Sequence, residues 1–341
     1  MVDEITRRKQ NWVEFADPKS GVNRLLVISY GEGMPPRPML WWELLRERED
    51  WSYNTYLKKC EDISYIPDNT IPFLSMITGT EIFAEAFGCR VHYPDNNNPF
   101  ALPMISSVAE FYKIKKPQLE DTKLPLLIES AERLRGRAGD GALLSLPDNQ
   151  TPMDIAALIW EKSDFYAALY EEPSAVLELA SMIKELQFEF FDEWFRRFGR
   201  EHIAHFPDYY MPSGITISED EVGAVSAEMY REFFEDELNE FSERYGGIGV
   251  HCCADSAHQW ENFKRIKGLK ILNLCRDRQD TLTSLDVFRD VCGQYPGCAL
   301  SDYGRLPEPE RVHIAQYVYT STREQAKRAA EHFAEYGVVP G

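Results

Sequence analysis

Apolar and polar positions follow no steady rhythm over the first third of the chain and settle into a repeating order after it. Arg24–Tyr30 (RLLVISY) predicts a strand, since Leu25 to Ser29 are mostly apolar and β-branched, and Gly31 with Pro35, Pro36 and Pro38 stops it. Trp41–Asp62 reads as a helix. Thr80–Phe87 reads as a short one, with Gly88 placed to close it in the left-handed conformation. Asp95–Pro99 is a loop. From Leu124 the pattern is regular. A helix over Leu124–Arg135 ends in the glycine-rich 136–141 region, and Ala142–Leu146 is a short buried strand. Pro152 and Pro173 each open a helix at a position where proline is tolerated. The second runs to Phe198, with Val176, Leu177, Ala180, Ile183, Leu186 and Phe190 close to a 3.6-residue period. A further helix is expected over Ser226–Tyr245, ending at Gly246-Gly247.

Short strands alternate with these helices: Ile215–Ser218, Ile248–His251, Lys270–Leu274, Cys298–Ser301 and Val312–Val318. The last helix carries a capping box, Ser321-x-x-Glu324, and Gly337 lies beyond its end. With the earlier strands the count is about eight, most followed by a helix. That order predicts a parallel sheet closed into a (β/α)8 TIM barrel, an α/β fold, with an open doubly wound sheet as the alternative. The expected organisation is a single domain over 1–341, in which 1–65 forms an irregular N-terminal extension packed on the barrel. No glycine-rich phosphate loop is present.

Charge narrows the partners. The 341 residues include 37 Lys and Arg against 56 Asp and Glu, a formal charge of −19. An acidic surface disfavours unaided binding to nucleic acid or to an anionic membrane. Seven cysteines, an odd count, fit reduced thiols better than a disulfide framework. The opening residues have no apolar core of a secretory signal, and no apolar run approaches the ~20 residues of a membrane span. A cytoplasmic protein is expected, without nucleic-acid or membrane partners. A homodimer is compatible with this.

The segment that carries chemistry is Gly246–Ser256 (GGIGVHCCADS), a strand running into a loop before a helix around His258–Phe263. In α/β barrels reactive groups sit at the carboxyl ends of strands. Residues i and i+2 of an extended segment project to one side, so His251 and Cys253 face one point and Cys252 faces away. An imidazole and a thiolate are good zinc ligands, and zinc with an open position holds a thiol substrate as thiolate. Read blandly, cysteine is a small core residue and the histidine satisfies backbone groups. Asp148 and Asn149 follow the strand at 142–146, Glu219, Asp220 and Glu221 follow the strand at 215–218, and Asp208, Tyr209 and Tyr210 lie in another loop. Trp41-Trp42 reads as packing, and His92, His202, His205, His313 and His332 show no evident partners.

Thr70–Leu274 resembles the uroporphyrinogen decarboxylase superfamily, which includes the methylcobalamin:coenzyme M methyltransferases and related corrinoid-dependent enzymes. The resemblance rests on GTEIFAEAFG (Gly79–Gly88), on Glu172-Pro173 opening a helix, on SAEMYREFF (Ser226–Phe234) and on the strand end His251-Cys-Cys253. It implies a (β/α)8 barrel with its site at the mouth. It further implies a zinc ion on His251, Cys253 and a later cysteine. Cys298 is the first candidate for the third ligand, Cys275 the second, and a carboxylate the fallback. The segment Pro38–Arg46 lacks the paired arginines of true decarboxylases, and Gly79 stands where they carry an aspartate. The expectation is therefore a methyltransferase moving a methyl group between a corrinoid (methylcobalamin or a corrinoid protein) and a small thiol or folate acceptor. Glu221 and Asp148 are the expected catalytic acids or bases. Asp220, Glu219, Asn149 and Tyr209 are the expected substrate contacts. A decarboxylase-like lyase and a non-catalytic corrinoid- or substrate-binding relative are the alternatives.

Overall fold

The computed structural model describes residues 2–95, 97–296 and 312–337. Eight parallel strands of the described residues build the barrel: β1 Arg24–Tyr30, β2 Phe73–Leu74, β3 Leu143–Leu144, β4 Ile215–Ser218, β5 Ile248–Cys252, β6 Leu269–Leu274, β7 Gly293–Gln294 and β8 Ile314–Thr320. Six of them form one sheet in the order β1-β8-β7-β6-β5-β4, and β2 pairs with β3. Two contacts join these pieces into a ring. Gln150, just past β3, bridges Ser218 of β4, and the Asn69 amide before β2 donates to the Leu26 carbonyl of β1 at 2.7 Å. The expected barrel is what the chain forms. The strand expected over Cys298–Ser301 lies outside the described residues.

Three expectations are corrected. The amino end is not irregular: Val2–Phe15 is a helix, α1. Its inward positions Arg8, Trp12 and Phe15 keep helical spacing, but a charged residue heads the stripe and hides it from a hydrophobicity reading. Arg8 is 1 % exposed as a residue, and its guanidinium spends its donors on Asp68, the Thr70, Ile63 and Ile66 carbonyls and Glu4, at 2.6–3.0 Å. Second, the helix expected over Ser226–Tyr245 is two helices, Ala227–Phe233 and Glu235–Tyr245, with a break at Phe234. Third, the capping box of the last helix (Arg323–Tyr336) is one residue later, on Thr322 and Gln325. Glu324 is engaged instead by the Tyr65 hydroxyl and Arg328. By contrast, Pro173–Phe198 forms with the expected ends.

A short antiparallel hairpin, His202–Ile203 with Tyr210–Met211, interrupts the alternation before β4. Its connecting loop carries Phe206 and Asp208 into the barrel mouth, where both line two separate cavities. No helix among the described residues is long and apolar enough to cross a membrane.

Candidate metal centre at the barrel mouth

Strand register builds the site. Ser218 of β4, His251 of β5 and Asn273 of β6 are direct neighbours across the sheet. Two residues further along each chain, and so on the same side, come Asp220, Cys253 and Cys275. The ladder continues past the strand ends, since the Cys275 amide donates to the Cys252 carbonyl at 3.0 Å and the Glu219 amide to the His251 carbonyl at 2.8 Å. One ligand atom each from Asp220, His251 and Cys253 lie within 4.8 Å of one another. His251 and Cys253 do face one point, while Cys252 is buried on the other face.

Each member of the triad is held. Asp220 Oδ1 accepts the Cys253 amide at 2.6 Å. The backbone at Asp220 is pinned by Asp154, whose two carboxylate oxygens accept the Asp220 and Glu221 amides at 2.8 and 2.9 Å. Asp154 is itself fixed at the start of the helix Pro152–Ile159, where its amide caps onto Thr151 Oγ1. His251 Nδ1 bonds Asn273 Oδ1, and Asn273 Nδ2 donates to the Tyr295 carbonyl. A carbonyl only accepts, so the amide orientation is fixed with its oxygen towards the imidazole. Nδ1 must then carry the hydrogen, which leaves the Nε2 lone pair for a metal. The Phe206 ring stands edge-on to His251, centroids 4.9 Å apart. Burial, followed by the Asp220 charge, pushes the Cys253 thiol up to about 12.

Replacing Asn273 by leucine is expected to weaken metal binding about 10–100-fold, the usual effect of losing an outer partner of a ligating histidine. Competition against a chromophoric chelator reads it. An unchanged affinity would show that the Asn273 bond does not set the tautomer.

The triad opens into a cleft of about 450 Å³ that also receives Arg37, Thr78, Asp148, His205 and Asp208. Asp148 Oδ1 is buried and has no hydrogen-bond partner. Burial and then the Asp220 charge push its carboxyl up to about 7, against the pull of Arg37. Arg37 is the sole Lys or Arg among the described lining residues. His205, which the sequence left without partners, bonds Thr216 Oγ1 at 2.9 Å and Ser218 Oγ at 2.8 Å. Burial pushes its pKa down to about 3, so it stands in the wall as a neutral ring.

The other expected site residues scatter. Glu221 bonds Lys162 and the Tyr166 hydroxyl at the edge of the mouth. Glu219 is fully buried behind the triad; burial first and then Asp154 hold its carboxyl far above the usual range. Asn149 is also buried, donating to the Thr216 carbonyl at 3.2 Å and accepting from Gln187 at 2.7 Å. Tyr209 packs within the barrel against Trp12 and Tyr295, and a Cβ on Gly249 would collide with its hydroxyl. Cys298 lies outside the described residues. Cys275 follows the last paired residue of β6, with its amide on the Cys252 carbonyl, but its sulfur is not in the triad. Sequence reading missed Arg37, which sits in a proline-broken stretch with no periodicity, and Asn273, which looks like one polar residue in an apolar strand.

Fold and site together define a TIM barrel with a candidate metal centre at the carboxyl ends of two adjacent strands, β4 and β5. The chain belongs to the uroporphyrinogen decarboxylase family, whose model (Uroporphyrinogen decarboxylase, URO-D) matches residues 64–296. Among solved structures it is similar to a methyltransferase from Methanosarcina mazei, with 11% identity and a TM-score of 0.64 over 88% of this chain and 89% of that one. No curated protein matches the chain.

Proposed function

We propose that this protein is a methyltransferase that binds zinc on Asp220, His251 and Cys253 and methylates a small thiol. The observation that carries the reading is the convergence of one carboxylate, one imidazole and one thiol within 4.8 Å at the barrel mouth. The donor set fits zinc: oxygen, nitrogen and sulfur are all accepted, three protein ligands leave a fourth position for substrate, and the Nε2 lone pair is available. The carboxylate of Asp220 is the fallback third ligand that the sequence left open after Cys298 and Cys275. Zinc bound there would favour the thiolate form of the acceptor. The methyl donor is proposed to be a methylated corrinoid, presented at the mouth by a corrinoid protein, as the resemblance of Gly79–Gly88, Ser226–Phe234 and His251–Cys253 to the corrinoid-dependent enzymes of the superfamily implies. A folate acceptor is the variant reading of the same site.

The chain's own residues supply the rest. Asp148, poised near neutrality, takes up the proton that the acceptor thiol gives up and returns it to solvent. Arg37 holds Asp148 by charge and offers the cleft its cation. Activity is expected to rise as pH passes about 7, because the unprotonated carboxylate is the working form. Asp148→Asn should remove that inflection and lower the rate about 100-fold, read from kcat against pH. A profile unchanged in the variant would remove Asp148 from proton transfer.

The test of the function is to incubate zinc-loaded protein with methylcobalamin and a panel of small thiols and folates. Loss of the methylcobalamin visible spectrum with formation of the methyl thioether is expected. Transfer to no acceptor would refute the reading. A second reading, a decarboxylase-like lyase, is favoured only by Arg37, a cation suited to a substrate carboxylate. Release of carbon dioxide from a carboxylated substrate would establish it.

A further inference from the structure

Beside the metal cleft, on the β1–β8 side of the barrel, lies a second cavity of about 280 Å³. Barrel interiors are ordinarily filled by side chains, and an open space of this size forfeits packing contacts. Its wall is aromatic: Trp12 from α1, Phe73 of β2, Tyr210 of the hairpin, Tyr295 after β7, Tyr317 of β8, and Phe206 from the loop between the two cavities. We propose that this chamber is a second binding site, distinct from the metal centre, and that it takes a small aromatic carboxylate.

The ring is argued from the wall. Aromatic side chains offer flat faces and edges to a flat partner, which stacked or edge-on contacts reward beyond area alone. The acid is argued from Lys59. Its ammonium is the one Lys or Arg charge among the described lining residues, and it lies 3.8 Å from the Phe73 ring centroid. Among the described residues its only ion pair is with Asp208, at 3.6 Å, beyond hydrogen-bond length. The Asp208 side chain is 53 % exposed, so the pair is weak and Asp208 stays solvated when released. An incoming carboxylate can therefore take the lysine donors without stranding a buried charge. A cationic ligand would meet Lys59, and an uncharged aliphatic one would use neither Lys59 nor the ring faces.

The chamber borders the metal centre without sharing its ligands. Phe206 and Asp208 line both spaces, and the Phe206 ring stands edge-on to His251 at 4.9 Å. A ring bound in the chamber would press on the partition whose other side supports a proposed metal ligand.

Isothermal titration of the full chain with benzoate tests this, in metal-free protein and in Cys253→Ser so that the result does not depend on the metal reading. Saturable binding is expected in both. Lys59→Met should weaken it at least tenfold, the usual worth of a charge-assisted hydrogen bond. Acetate, which lacks the ring, and benzylamine, which reverses the charge, should each bind at least tenfold more weakly than benzoate. Ile71→Trp, which fills the chamber, should abolish binding while the circular dichroism spectrum is unchanged. No saturation by benzoate at millimolar concentration, or equal affinity in the Lys59→Met protein, would overturn the proposal. So would binding that survives Ile71→Trp but is lost in Cys253→Ser, because the ligand would then sit in the metal cleft.

Discussion

Cys253→Ser is expected to leave the purified protein without stoichiometric zinc and without methyl transfer. A serine hydroxyl stays protonated near neutrality and is a poor ligand, whereas the thiol is one of only three donors in the triad. The loss should exceed the ~10–100-fold that removal of an outer partner costs. The sheet supplies an internal control. Cys252 is the preceding residue, the last of β5, buried on the opposite face with Ser256 as its neighbour. Cys252→Ala should leave metal content at the wild-type value. Elemental analysis of the two proteins side by side decides the matter; equal zinc in both would sink the metal centre.

The second large effect is on stability and concerns Arg8. Its buried guanidinium pairs with Asp68 at 2.6 Å, both side chains 2 % exposed, and it also closes three backbone carbonyls. Arg8→Met would leave Asp68 as a buried charge without its cation. Breaking a buried pair from one side costs about 3–5 kcal/mol, a large share of the stability of most domains. Burial pushes the Asp68 carboxyl up and Arg8 opposes that push, so the remaining acid should take up a proton in the variant and recover part of the loss. Arg7→Met is the matched control. Arg7 pairs with Glu4 on the surface, with its side chain 51 % exposed, and should cost under ~1 kcal/mol. Urea unfolding of the two variants measures the difference; equal midpoints would show that α1 does not hold the loop at 63–70.

The two predictions mark where the sequence was readable. β1 and β4 to β6 were legible because each is long enough to show a run of apolar and β-branched residues. The two-residue strands β2 and β7 were not, because Phe73-Leu74 and Gly293-Gln294 lack the flanking apolar run that marks the equally short β3 within Ala142–Leu146. α1 was hidden by Arg8, a charge on the buried face whose partners lie some 60 residues away in the chain. His251 and Cys253 were legible together because their relation is local, two positions apart at one strand end. Asp220 was seen as a polar residue of the mouth but not as a ligand, because its place beside Cys253 depends on the register between β4 and β5. The same holds for His205, whose partners Thr216 and Ser218 lie across a hairpin and a strand.

The register of β4, β5 and β6 has one more consequence. The triad is set by backbone ladders and by the Asp154 and Asn273 bonds, all made of protein groups alone. Small zinc domains fold only when the ion arrives, and most of their binding energy is absorbed by ordering the chain. Here the frame of the triad consists of bonds between protein groups, so it is expected to hold with or without an ion. A metal bound there would have its affinity free to act on its fourth position, and chelation is expected to leave a folded barrel that can be reloaded with a spectroscopically active metal.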